Sequence, residues 1–183
     1  MLRRLSHLVL ILTAALGLAA CDSAEELSQT DAELIVGFWL ATDAGVRTIV
    51  PGVTVSVFDA LGAGDEIAME FEANGQFAFA FDVDDDASIT VSSIEIPLAD
   101  VNLTGTYTVD DAANRLALTP AGTSAAALVE YDFNGENAFD LIVEDPELVA
   151  LLFGIADADL LATVVTGAEL TFSRQSSPVL TLN

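Results

Sequence analysis

The sequence predicts a mainly β protein, an antiparallel up-and-down meander or barrel with one short helix. Three observations lead there. From Gly37 onward apolar residues alternate with acidic or hydroxyl residues, which is the period of half-buried strands with one wet face. Short turns separate the alternating runs, so strands that follow one another in sequence pair locally. Helical spacing stands out in one place, after Pro146.

The elements follow in order. Arg3 and Arg4 precede "LVLILTAALGLAA", and this run reaches Cys21 before the first acidic residue, which is the layout of a secretory signal. "Leu18-Ala19-Ala20-Cys21" resembles the lipobox of bacterial lipoproteins, whose small residues admit the signal peptidase and whose cysteine sulfur takes a diacylglyceryl group. The resemblance implies a signal over 1–20, lipidation at Cys21, and a membrane partner held through acyl chains with no need of a spanning helix. The longest later apolar run, Leu148 to Ala156, is too short to span. "DSAEELSQTDAE" has no apolar period, so 21–32 reads as an acidic tether and 33–183 as a single domain. Its early acids resemble the export signal that sends some lipoproteins of Bacteroidota to the cell surface. The expected location is the cell envelope, lipid-anchored in the outer membrane and facing the periplasm or the exterior.

Within the domain, "AMEFEA" sets Met69 and Phe71 against Glu70 and Glu72, and "QFAFAFD" puts Phe77, Phe79 and Phe81 on one face. "LTGTYTVD" sorts Leu103, Tyr107 and Val109 from Thr104, Thr106 and Thr108, and "AELTFSR" turns Leu170 and Phe172 inward. "MEFEANGQFAF" and "VEYDFNGENAF" align without a gap as a partial repeat. Asn74-Gly75 and Asn134-Gly135 are expected to close hairpins with both residues at positive φ. A third hairpin is expected at Asp110 to Asn114. In "DPELVALLFG" Asp145 caps, Pro146 opens the helix, Leu148, Leu151, Leu152 and Ile155 share a face, and Gly154 stops it.

"ELIVGFWLAT" carries Gly37 and Trp39, which resemble the G-x-W motif opening the first strand of lipocalins and lipocalin-like bacterial domains, where a short helical turn precedes it; "TDAELI" fits that turn. The resemblance implies a barrel whose closed end is plugged by Trp39 beneath a basic side chain of the last strand, here Arg174. It also implies an interior for a small apolar ligand, lined by Phe77, Phe79, Phe81, Tyr107, Tyr131, Phe133 and Phe139. The helix before the final strand pair and the long insert "TIVPGVTVSVFDALGAGD" depart from the family pattern, and a looser barrel or another β architecture stays open.

Composition narrows the chemistry. After Cys21, three arginines face 29 acidic residues, so the mature formal charge is −26; a nucleic-acid partner is excluded by repulsion from phosphates. Absence of lysine beside so much Asp resembles proteins of salt-adapted bacteria. His7 lies in the signal and Cys21 is assigned to lipid, so triads, Schiff bases and His/Cys zinc sites have no residues; no enzyme and no cofactor are expected. Asp82, Asp84 and Asp86 in "DVDDDA" alternate as in a calcium loop, but Ala87 replaces the required glycine and Ser93 the twelfth-position Glu; a solvated turn is the simpler reading. Two functions remain: a barrel that binds a small apolar ligand, or a packed barrel that meets partners with its exterior.

Overall fold

The computed structural model describes residues 29–84 and 86–176. Its strands are β1 (Gly37–Thr48), β2 (Thr54–Ser56), β3 (Glu66–Phe71), β4 (Gln76–Asp82), β5 (Ser88–Val91), β6 (Ile94–Pro97), β7 (Val101–Asp110), β8 (Arg115–Pro120), β9 (Ala127–Phe133), β10 (Ala138–Val143) and β11 (Val165–Gln175). The helices are α1 (Asp31–Leu34), α2 (Pro146–Leu152) and α3 (Ala158–Ala162). β1, β3, β4, β7, β8, β9, β10 and β11 pair in that order, and β11 returns to β1. Every pairing is antiparallel, so the fold is a closed eight-stranded up-and-down barrel. Closure removes the exposed sheet edges of an open meander.

The alternation works as the sequence requires. Phe79, Phe81, Met69, Phe71, Leu116, Leu118, Val129, Leu141, Leu170 and Phe172 are all buried, while Thr104, Thr106 and Thr108 face solvent. The tight β3–β4, β7–β8 and β9–β10 turns gather with α1 at one end. Longer connections occupy the other end, the mouth, where β5 and β6 form a separate hairpin. That hairpin buries Ile89, Val91, Ile96 and Leu98. Phe153, just after α2, sets its ring edge-on to Phe81 at 5.5 Å and its carbonyl accepts from Ala99 N at 3.3 Å.

Several expectations need correction. Among the described residues, α3 is a helix that was not expected beside α2 and the turn at α1. α3 spans five residues, with Asp157 accepting from Leu160 N at 2.8 Å, too few for a helical period to show. In α2, Asp145 and Pro146 cap as expected and Gly154 takes φ +64°, but Leu151 is exposed and Val149 is buried in its place. At Asn74-Gly75 only the glycine has positive φ, +84°. Gly75 N donates to Glu72 O at 3.0 Å and Glu72 N to Gln76 O at 2.8 Å, a three-residue loop rather than a two-residue one. The repeat is not structural either: Phe71 faces Phe77, but Phe133 faces Phe139. An equivalent register would have set Tyr131 against Asn137, so the second turn lies two residues later along the aligned stretch.

The tight two-residue turn sits elsewhere, at Ser92 and Ser93, between the paired Val91 and Ile94. Both serines hold positive φ, 53° and 70°, a conformation costing roughly 1 kcal/mol for each residue with a side chain. Replacing the pair with Asn-Gly is expected to raise stability by about 1 kcal/mol. An unchanged or lower denaturation midpoint would refute that account of the turn.

Candidate functional site

The seven aromatic residues expected to line the barrel all lie on its inner face. Phe77, Phe79, Phe81, Tyr107, Tyr131 and Phe139 are buried, and Phe133 packs partly buried against the core. Five of them, Phe81, Tyr107, Tyr131, Phe133 and Phe139, pack against other aromatic rings. Phe139, at 0 % exposure, stacks on Phe172 at 5.0 Å and presents an edge to Trp39 at 4.7 Å. Phe133 lies 5.7 Å from it and Phe71 6.4 Å. Such offset and edge-to-face contacts are the favoured aromatic geometries. Phe153 joins this set from the mouth and was not expected there, because its stretch reads as helix.

The floor residues converge. Trp39 Nε1 donates to Ile35 O at 2.7 Å, and the Arg174 guanidinium lies 4.4 Å above its ring, a cation–π distance. Arg174 Nη1 donates to Val36 O at 2.8 Å, Nη2 donates to Leu34 O, and Nε donates to Glu136 O at 3.1 Å. One planar group thus satisfies the last carbonyl of α1, the Val36 carbonyl that follows it and one in the β9–β10 turn. Gly37 has φ +144°, and a Cβ there would stand 2.7 Å from Arg174 Nη1. Glycine therefore permits both the bend and the approach of the arginine.

α1 has a further attachment. Thr30 and Glu33 form a reciprocal capping box, and Tyr131 Oη donates to Asp31 Oδ2 at 2.9 Å. Burial and then the Asp31 carboxylate push the Tyr131 hydroxyl above the usual phenol range. The helix α1 is thus fixed to the barrel floor by side chains from β1, β9 and β11. Sequence reasoning had no signal for the Tyr131 contact, which joins residues 100 apart.

The Asp82, Asp84 and Asp86 stretch does not gather. Asp82 lies opposite Glu66, Asp84 Oδ2 crowds Gly62 beside Asp65, and Ala87 N donates to Asp84 O at 3.0 Å to form a turn. Among the described residues no three His, Cys, Asp or Glu side chains are placed to hold a metal ion. Among the described residues, clefts open on the outside of the barrel and at its mouth. One, of about 510 Å³, lies over β3, β4, β7 and β8; another, of about 280 Å³, lies at the mouth beside Val83, Leu98 and Asp100. Cys21 and the lipobox lie outside the described residues. No known protein family matches the chain, and no curated protein matches it.

Proposed function

We propose that this is a lipid-anchored cell-envelope protein, acylated at Cys21, whose barrel is filled by its own side chains and which works through its exterior without catalysing a reaction. The observation that carries the packed reading is the cluster around Phe139, where rings from β1, β9, β10 and β11 pack at contact distance inside the floor half of the barrel. The covered mouth supports it too, since β5, β6 and Phe153 take the place where a ligand would enter a cup. Absence of histidine and lysine beyond the signal supports a role without general-base or Schiff-base chemistry.

The alternative is a lipocalin-like carrier of a small apolar ligand, and one experiment separates the two. The full chain is extracted from its own envelope at high salt, and its native mass is compared with the mass after organic extraction. An apo mass, with no uptake from a lipid extract, is the expected result. A reproducible apolar adduct released on unfolding would overturn the packed reading and identify the cargo. For the anchor, Cys21→Ser is expected to abolish lipid labelling and to move the protein out of the membrane fraction. Persistence in that fraction with label intact would sink the lipoprotein assignment.

A further inference from the structure

The larger outer cleft has a composition that selects a ligand class. Its walls come in two rows across four strands. Glu72, Gln76, Thr106 and Thr119 form one, and Glu70, Ala78 and Thr104 the other, continuing to Ala121. Strands about 4.8 Å apart, with outward residues about 7 Å apart along each, turn these rows into a grid of carboxylate, carboxamide and hydroxyl groups. Gly105, which also lines the groove, carries no side chain. A Cβ there would strike the Thr119 carbonyl oxygen and stand 2.7 Å from Phe77 Cε1 and 2.9 Å from Pro120 Cα. Ala78, Pro120, Ala121 and the edge of Phe77 therefore give the grid an apolar base.

Charge and size decide what fits. About 510 Å³ is the scale of a small organic ligand, far more than one metal ion needs. Glu70 and Glu72 repel anions, and no arginine lines the groove. Asn74 Nδ2 donates to Glu72 Oε2 at 2.7 Å and holds that carboxylate. Burial, and after it the neighbouring Glu72, raises the Glu70 carboxyl above its ordinary value, so a bound cation relieves an existing repulsion. The hydroxyl rows disfavour a purely apolar guest.

We infer that this groove binds a hydroxylated organic ammonium ion, with an amino sugar as the simplest member of the class: the ammonium between Glu70 and Glu72, ring hydroxyls on Gln76, Thr106 and Thr119, and the ring's apolar face on Ala78 and Pro120. The site is on the outside of the barrel and is independent of whether the interior carries cargo.

The test titrates the full chain in non-ionic detergent, at 0.5 M salt, with a glucosamine tetramer, using its fully N-acetylated form and spermine as controls. Saturable binding of the glucosamine form above both controls is expected. Glu70→Gln should weaken it about tenfold, the scale of one charge-assisted hydrogen bond. Thr106→Val, which keeps the side-chain shape on a strand, should weaken it about threefold. Glu95→Gln, away from the groove, should leave it unchanged. No binding at millimolar tetramer would overturn the assignment. So would equal binding of spermine, or binding that Glu70→Gln and Thr106→Val leave intact, since either reports general attraction of a polycation to an acidic protein.

Discussion

Trp39→Ala is expected to cost about 4–5 kcal/mol of folding stability, the largest loss from any single change at the barrel floor. Truncation removes a ring that is 1 % exposed and leaves a cavity against Phe139. It also strands the Ile35 carbonyl, which accepts from the indole at 2.7 Å, and an unpaired buried acceptor adds to the cavity cost. The Arg174 guanidinium loses the π face beneath it. Domains of this size hold about 5–15 kcal/mol in all, so the variant should melt about 10–20 °C lower. Trp39→Phe keeps most of the ring and loses only the donor, so about 1–2 kcal/mol is expected. Arg174→Lys should cost a similar amount, because one ammonium cannot reach Leu34, Val36 and Glu136 as the fork does. The check is urea denaturation at high salt. If Trp39→Ala cost no more than Trp39→Phe, the floor would not be the tightly packed unit described.

The barrel was legible because strand periodicity is a local signal and an up-and-down barrel asks for nothing beyond local pairing. Phe77, Phe79 and Phe81 declare their face within seven residues, and Asp110 to Asn114 declares its turn. The Asn-Gly pairs were read correctly as turns but with the wrong loop length. Loop length depends on which cross-strand pair closes first, and that is settled by Phe71 opposite Phe77 and Phe133 opposite Phe139. Ser92-Ser93 went unread because serine carries little preference for the positive φ it is held in. The packing at the mouth was not legible. It depends on where Ile89, Val91, Ile96, Leu98 and Phe153 land after closure, and no spacing along the chain encodes that. The outer groove was equally hidden, since Glu70, Thr106 and Thr119 become neighbours only through three successive registers.

Salt is expected to stabilise the protein strongly, and mild acid to do so at low salt. The described arginines offer little compensation for the negative charge. Arg47 lies 3.7 Å from Glu169 and 3.9 Å from Glu144, Arg115 lies 3.0 Å from Glu130, and Arg174 is engaged with carbonyls. Meanwhile Asp132 faces Asp140, and Glu66 faces Asp82, directly across strand pairs. Like charges so placed cost about 0.2–1 kcal/mol each. The screening length falls from about 10 Å at 0.1 M to about 3 Å at 1 M salt. Over these two pairs that range should return about 0.4–2 kcal/mol, and relief of the repulsion spread over the whole acidic surface adds to it. The acid effect has a definite sign. Burial, and then Asp82, raises the Glu66 carboxyl, and Glu70 is raised likewise. A raised folded-state value means that the native protein holds the proton more tightly than the unfolded chain does. The associated stability is present below the ordinary carboxylate range and is lost as pH climbs through the raised values. Melting temperature at 0.1 M salt should therefore be higher near pH 5 than at pH 7. At 2 M salt the difference should shrink without vanishing, because salt screens Asp82 and Glu72 but does not undo burial. Glu66→Gln combined with Asp132→Asn should raise the low-salt melting temperature and flatten its rise with salt. A protein more stable at pH 7 than at pH 5 in dilute salt, or indifferent to salt, would show that these cross-strand carboxylates are not the source of the strain.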